Sequence, residues 1–138
     1  MTLLVLLRVA GALLLVLAAS HALFPKRLGW KEDLERLTPL NRQVFLVHTF
    51  FIVLVVSMMG VLSLAFAELL VAPSPLARFV LAGLTLFWAA RLFVQWFVYD
   101  ASLWRCDRFN TMVHVVFSIL WTYLTAVYGA ALWTQLRR

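Results

Sequence analysis

The sequence predicts an all-α, polytopic integral membrane protein whose four transmembrane helices form an up-down-up-down bundle. Of the 138 residues, 64% are hydrophobic and 13% are charged, whereas a soluble domain carries about 25% charged residues. The apolar residues form four long runs without the strict alternation of barrel strands. Each run exceeds the roughly 20 residues that a helix needs to cross about 30 Å of hydrocarbon.

The four predicted helices cover about residues 3–24, 43–72, 76–99 and 111–136, and we expect them to form a single domain that comprises the whole chain. The connection APSP between the second and third helices contains two prolines, which predicts a tight antiparallel hairpin. The third connection is also short, and short connections favour contact between helices that follow each other in the sequence.

The first connection, residues 25–42, is the only long one. Its leucines alternate with charged residues in a short helical pattern, which predicts an amphipathic segment lying on the membrane surface. We expect this connection to be cytoplasmic.

The distribution of basic residues predicts the orientation in the membrane. Seven of the twelve Lys and Arg residues lie in the first and third connections. Because basic residues concentrate on the cytoplasmic side, we expect both termini to be non-cytoplasmic and place the protein in a bacterial inner membrane. The seven are Lys26, Arg27, Lys31, Arg36, Arg42, Arg105 and Arg108.

The charge and cysteine content restrict the partners and the chemistry. The net charge of +6 is explained by topology, so we expect the lipid bilayer, other membrane subunits or a homo-oligomer as partners, and no nucleic acid. Cys106 is the only cysteine, which excludes an internal disulfide and a CxxC redox pair.

Four polar residues lie at matched depth, one in each predicted helix: His21, His48, Gln95 and His114. Each lies five or six residues from the charged residue that bounds its helix on the cytoplasmic side. With a rise of 1.5 Å per residue, all four lie roughly 8–9 Å inside that boundary. The coincidence predicts that several of these side chains converge on one pocket.

Arg91 lies deeper than this layer, about 13 Å from the cytoplasmic end of its helix. It precedes Gln95 by one helical turn on the same face, and Trp88 continues the stripe at a spacing of three. An arginine at this depth costs roughly 2.5–3.5 kcal/mol, and none of the six acidic residues shares its depth. We therefore expect it to bind water, backbone carbonyls, a hydroxyl such as that of Ser118, or an anionic ligand.

The predicted cofactor site thus contains the three histidines His21, His48 and His114 together with Arg91, Gln95, Trp88 and Ser118. These groups suit a redox cofactor in an electron-transfer subunit, either a quinone or haem b. If the cofactor is haem, His48 and His114 are the candidate axial ligands. A catalytic zinc is disfavoured because the sequence has no HExxH motif and a neighbouring arginine repels a dication.

Two other functions remain open from the sequence. The first is a membrane-embedded enzyme that acts on a lipid-borne anionic headgroup, since arginine and histidine near the headgroup level suit such a substrate. The second is a ligand-free structural or assembly subunit of a larger membrane complex. The sequence does not decide whether the protein is an enzyme.

Overall fold

The computed structural model describes residues 2–22, 29–100, 102 and 107–137, and these residues contain helices and no strand. Four of the helices are long and apolar enough to cross a membrane, which confirms the predicted all-α membrane fold. Part of the first connection, including Lys26 and Arg27, lies outside the described residues, as do Arg105 and Cys106. The helices are α1 (Thr2–Ser20), α2 (Trp30–Glu35), α3 (Pro39–Ala65), α4 (Ala67–Val71), α5 (Pro75–Phe97) and α6 (Arg108–Leu136).

Capping residues set the starts of the long helices. Helix α3 begins at Pro39, four residues before the predicted start, because Thr38 accepts a hydrogen bond from the Asn41 N–H and a proline at the first position is preorganised for a helix. Ser74 and a following proline start α5 in the same way. Asp107 accepts from a backbone N–H of α6 and moves its start to Arg108.

The second predicted helix is interrupted. Helix α3 ends at Ala65, Phe66 leaves the helical conformation, and the short α4 follows. The sequence contains neither glycine nor proline at this position, so the interruption carries no local sequence signal.

The chain divides into two compact units. The N-terminal unit comprises Arg8–Phe66, and the C-terminal unit comprises Met1–Leu7 and Ala67–Arg138. The expectation that the whole chain forms a single domain stays a prediction. Each unit is described by itself below.

In the C-terminal unit, α5 and α6 pack as an antiparallel pair. Trp88 of α5 stacks on Trp121 of α6, and Thr85, one turn earlier in α5, approaches Gly129, two turns later in α6. Buried residues recur every three or four positions along both helices, which is the spacing of one helical face. They are Leu81, Leu84 and Trp88 in α5 and Trp121, Leu124, Tyr128 and Ala131 in α6.

Two side chains of α6 bind backbone carbonyls of other segments in this unit. The Gln135 Nε2 donates to the carbonyl oxygens of Leu70 at 3.0 Å and Ala72 at 2.9 Å, so it satisfies carbonyls at the end of α4. The Tyr123 hydroxyl donates to the carbonyl oxygen of Leu6 at 2.9 Å. These hydrogen bonds join α6 to the end of α4 and to the first residues of α1.

In the N-terminal unit, α1 and α3 approach closely at two glycines. A Cβ at Gly11 would lie 2.5 Å from the backbone N of Leu64 and 2.7 Å from the carbonyl oxygen of Gly60. Such a contact needs a residue without a side chain, as in other close membrane helix pairs. The helix α2 is held by Trp30, which packs edge-on against Phe45 with ring centroids 4.9 Å apart.

The first half of α3 has no buried residue between Leu40 and Val55. Most of its side chains are nevertheless large and apolar, and they are exposed on every side of the helix. A helix that is apolar all round requires an apolar environment. This surface therefore agrees with a position inside a lipid bilayer.

Candidate functional site

A cleft of about 250 Å³ lies between the last turns of α5 and the first turns of α6. On the α5 side its residues are four apart, and on the α6 side they are three or four apart, so each helix contributes one face. The cleft is lined by Arg91, Gln95, Tyr99, Asn110, Val113, His114 and Phe117. The structure thus brings together three residues of the predicted site, namely Arg91, Gln95 and His114.

Gln95 is the centre of a hydrogen-bond network in this cleft, and it is only 5% exposed. Its Oε1 accepts from the Trp121 Nε1 at 3.2 Å and from the Arg91 Nη1 at 3.4 Å. Its Nε2 and the His114 Nδ1 are 2.9 Å apart. One amide therefore links two side chains of α6 with Arg91 on its own helix.

The network determines which nitrogen of His114 carries the proton. An indole and a guanidinium can only donate, so the oxygen of the Gln95 amide must face Trp121 and Arg91. The amide NH₂ must then face His114 and donate to its Nδ1. An Nδ1 that accepts a hydrogen bond is unprotonated, so the ring is neutral and its proton is on Nε2.

Arg91 is half-buried and has two aromatic neighbours. Its Cζ lies 5.0 Å from the ring centroid of Trp121 and 5.5 Å from that of Tyr99, within the range of cation–π attraction. Its hydrogen bond to Gln95 uses one of its five N–H donors. Among the described residues, no carboxylate lines the cleft with it.

A row of stacked aromatic rings runs from the cleft into the α5–α6 contact. Phe117 stacks on Trp121 with centroids 5.4 Å apart, and Trp121 stacks on Trp88 at 5.0 Å. Phe87 then meets Trp88 edge-on at 5.0 Å. Trp88 is 1% exposed and its Nε1 has no hydrogen-bond partner in the described part of the chain, so Trp88 supports the cleft without lining it.

Ser118 lies beside a different groove, which is lined by Trp96, Ser118, Ile119, Thr122 and Tyr123. Its Oγ is buried, and it has no hydrogen-bond partner within the ranges that the structure describes. The expected hydroxyl contact with Arg91 is therefore not among the described hydrogen bonds. Instead, Arg91 bonds an amide oxygen and faces two rings.

His21 and His48 belong to the N-terminal unit and bond their own helix or its end. The Nδ1 of His21 donates to the Leu17 carbonyl oxygen and that of His48 to the Val44 carbonyl oxygen, both at 2.8 Å. Because a carbonyl only accepts, the proton of each ring is on Nδ1 when the ring is neutral. Whether these two histidines share the predicted site with Arg91 stays a prediction.

The fit of a metal cofactor depends on the tautomer of His114. A metal ligand must offer a nitrogen lone pair, whereas the Nδ1 of His114 is occupied by Gln95 and its Nε2 carries the proton. The described residues contain no group of three His, Cys, Asp or Glu side chains that could hold a metal ion. The network thus favours a hydrogen-bonding role for His114 over ligation of a haem iron. The expectation that His48 and His114 are the two axial ligands of a haem stays a prediction.

Several residues of the site were missed from the sequence. Trp121 is the most important of them, because it fixes the orientation of the Gln95 amide. It follows His114 by seven residues and Phe117 by four, so it lies on the same helical face. Asn110 lies one turn before His114 on that face. The spacing therefore contained a usable signal.

Two aspartates lie at the ends of the helices that form the cleft. Asp107 caps α6, so Asn110 and His114 lie in the first two turns, near the positive end of the helix dipole. Asp100 follows the end of α5, and its carboxylate accepts from the Ser102 N–H at 2.8 Å. This backbone hydrogen bond lowers the pKa of Asp100.

The cleft combines one permanent cation, a neutral imidazole with its proton on Nε2, two amides and a phenol with apolar walls from Val113 and Phe117. Such a set suits an amphiphile whose headgroup carries hydrogen-bond acceptors. Comparison with protein-family models, curated proteins and solved structures finds no match to this chain. The function is therefore inferred from the chemistry of the cleft.

Proposed function

We propose that this protein is an integral membrane subunit that binds the headgroup of a membrane-soluble quinone in the α5–α6 cleft for electron transfer. The observation that carries the proposal is Arg91, a half-buried guanidinium that has, among the described residues, one hydrogen bond and no carboxylate beside it in a cleft of about 250 Å³. An arginine in an apolar span is costly unless a partner uses its donors. The carbonyl oxygens of a quinone are such partners.

The charge of the cleft favours a quinone over a phosphate. With His114 neutral, Arg91 contributes the only formal charge among the described lining residues. A phosphate usually needs several charge-assisted hydrogen bonds, whereas a neutral carbonyl needs a donor between apolar walls. Tyr99 and Phe117 supply aromatic surface for a flat ring. The position at the end of two apolar helices lets a long tail remain in the bilayer.

An enzyme for a lipid-borne anionic headgroup is the second candidate. It is favoured by the permanent charge of Arg91 and by the positive helix dipole at the start of α6. Haem b is the weaker cofactor because His114 offers no free lone pair in the observed network. A role as a structural subunit is the alternative if the cleft holds no ligand.

We further propose a bacterial inner membrane location in which the first and third connections are cytoplasmic, because most basic residues lie there. The cleft then opens near the cytoplasmic surface, and other membrane subunits or a second copy of the chain are the expected partners. A reporter fused after residue 138 is expected to read non-cytoplasmic. A cytoplasmic reading would reverse the orientation and leave the cleft chemistry unchanged.

The test compares the bound molecules of the wild-type protein, Arg91→Leu, Arg91→Lys and Arg78→Leu after purification in one mild detergent. Arg78 is exposed in the first turn of α5 and does not line the cleft, so its variant is the matched control. We expect quinone in the solvent extract of the wild type and of Arg78→Leu, at least roughly tenfold less in Arg91→Leu, and partial retention in Arg91→Lys, which loses the planar fork.

Each other result selects a different function. A Soret band in the absorption spectrum of the wild type identifies haem and overturns the quinone. A co-purifying anionic lipid that is lost in Arg91→Leu, with no quinone, supports the enzyme instead. Equal quinone content in wild type and Arg91→Leu, with both folded, removes Arg91 from the site and overturns the proposal.

A further inference from the structure

Gln95 has both ends of its amide occupied by protein groups, although it lines the cleft. Its oxygen accepts from the Trp121 indole N–H and the Arg91 guanidinium, which can only donate. If the amide were turned by 180°, its NH₂ group would face both of these donors. Donors facing donors in a buried site are strongly disfavoured. One orientation of Gln95 is therefore fixed, and with it the acceptor role of the His114 Nδ1.

We infer that Gln95 is a positioning residue that holds His114 as an Nε2–H donor and makes the cleft selective for the oxidised form of its quinone. The selectivity rests on the proposed function, whereas the positioning of His114 rests on the network alone. Gln95 acts through His114 and Arg91 rather than by touching the guest.

The selectivity follows from the hydrogen-bond chemistry of the two redox forms. A quinone oxygen is an acceptor only, and it matches the N–H groups of Arg91 and His114. A quinol oxygen carries a hydrogen that needs an acceptor, and neither a guanidinium nor an imidazole held in the Nε2–H form offers one. A quinol that faces Arg91 and His114 must turn its hydroxyl hydrogen away from both donors, towards the Tyr99 hydroxyl or the Asn110 amide that also line the cleft, and we expect this to weaken binding by roughly tenfold.

The other two histidines provide a comparison for the tautomer of His114 within the same protein. His21 and His48 donate from Nδ1 to backbone carbonyls, whereas the Nδ1 of His114 accepts from Gln95. Long-range proton–nitrogen NMR of the ¹⁵N-histidine-labelled protein distinguishes these forms, because it reports which ring nitrogen carries the proton. We expect Nε2–H for His114 and Nδ1–H for the other two.

The variant Gln95→Glu changes the expected form of His114. A carboxylate accepts through both oxygens, so it can bind Arg91, Trp121 and an Nδ1–H of His114 together. We expect the His114 signal to switch to a protonated Nδ1. The matched control is Gln43→Glu, which introduces the same charge at an exposed position of α3 and should leave the His114 tautomer unchanged.

The binding measurement uses a short-chain benzoquinone and its hydroquinone under anaerobic conditions, with the protein in lipid nanodiscs. We expect wild type and Gln43→Glu to bind the quinone roughly tenfold more tightly than the hydroquinone. In Gln95→Glu this preference should fall to about equal affinity, because a His114 ring with its proton on Nδ1 offers the guest the Nε2 lone pair, an acceptor for the quinol hydroxyl, instead of the fixed Nε2–H.

The outcomes separate the inference from the proposed function. A protonated Nδ1 on His114 of the wild type overturns the positioning role of Gln95, whatever the protein binds. The expected tautomer with equal affinity for both redox forms overturns the selectivity. The expected tautomer with no binding of either form leaves the positioning role in place and overturns the proposed function and the selectivity built on it.

Discussion

The histidines that the sequence predicts at matched depth are held in opposite ways in the two units. In the N-terminal unit, His21 and His48 each donate to the carbonyl oxygen four residues earlier. In the C-terminal unit, His114 accepts from Gln95 of the neighbouring helix. The first two bonds are local and need no partner helix, whereas the third exists only because α5 and α6 pack together. The depth of a polar residue along a membrane helix therefore does not reveal whether its side chain hydrogen-bonds its own helix or a neighbouring one.

The two units also differ in how their long helices meet. Helices α1 and α3 approach through glycines that bring backbone against backbone. Helices α5 and α6 meet through stacked rings of Trp88, Trp121 and Phe117. A close backbone contact leaves no room between helices, while a layer of large side chains can leave a cleft at its end. The described cleft with polar groups lies at the end of this ring layer, between α5 and α6.

The largest effect is expected at the glycine contact of the N-terminal unit. In Gly11→Ala the new Cβ would lie 2.5–2.8 Å from backbone atoms of α3, which cannot yield as a side chain can. We expect a loss of about 3 kcal/mol in the free energy of unfolding, measured by denaturant or thermal unfolding in one detergent.

The control for this prediction is Gly83→Ala in the C-terminal unit. A Cβ at Gly83 has no heavy atom within 4 Å, so the substitution should raise stability by up to about 1 kcal/mol, since alanine is the better helix former. Equal stability of Gly11→Ala and wild type would contradict the close approach of α1 and α3.

The second effect concerns the amide at the centre of the cleft. Gln95→Leu removes all three described hydrogen bonds and leaves the indole N–H of Trp121 buried without its acceptor. We expect about 2 kcal/mol of destabilisation. Gln95→Leu with Trp121→Phe should lose less than the sum of the two single variants, because the stranded donor is gone. Strict additivity of the two single changes would show that the bond between them contributes nothing.

Most of the fold follows from the sequence because long apolar runs have few alternatives to membrane helices. The starts of the helices shifted where Thr38 with Pro39, and Asp107, supply caps that precede the apolar residues. The interruption at Phe66 was not predictable, since no breaker residue marks it.

The site was predictable only in part. A spacing of four placed Arg91 and Gln95 on one face, and matched depth predicted that His114 is among the residues that converge on one pocket. Neither measure gives the direction of a face around its helix axis. The spacing of seven between His114 and Trp121 does place both on one face, but it was not used, so the role of Trp121 was missed. The same limit applies to His48, whose matched depth does not establish membership of the cleft.

His48 gives a third and smaller effect that sharpens the comparison of the units. Its ring is exposed and bonds only the carbonyl of Val44 among the described residues. His48→Leu should therefore change the free energy of unfolding by less than about 0.5 kcal/mol, unlike Gln95→Leu. Loss of extractable quinone at unchanged stability would place His48 in the site after all, and a large destabilisation would show that it has a tertiary partner.

The smallest effect lies at the end of α5, where Asp100 is fully exposed. The hydrogen bond from the Ser102 N–H lowers the pKa of Asp100 below its ordinary value of 3.8. Because the carboxyl binds its proton less readily in the folded chain, the bond stabilises the fold at pH values above about 4 and is lost as the pH falls through the lowered pKa. The carboxyl ¹³C shift of Asp100 should therefore titrate below 3.8, and Ser102→Pro, which removes the N–H, should bring the midpoint back up. A titration midpoint of Asp100 that does not move in Ser102→Pro would mean that the hydrogen bond is absent. The ring of His114 gives a second readout in the same variant. A switch of its tautomer on Ser102→Pro would show that the end of α5, and not Gln95 alone, sets the tautomer in the cleft.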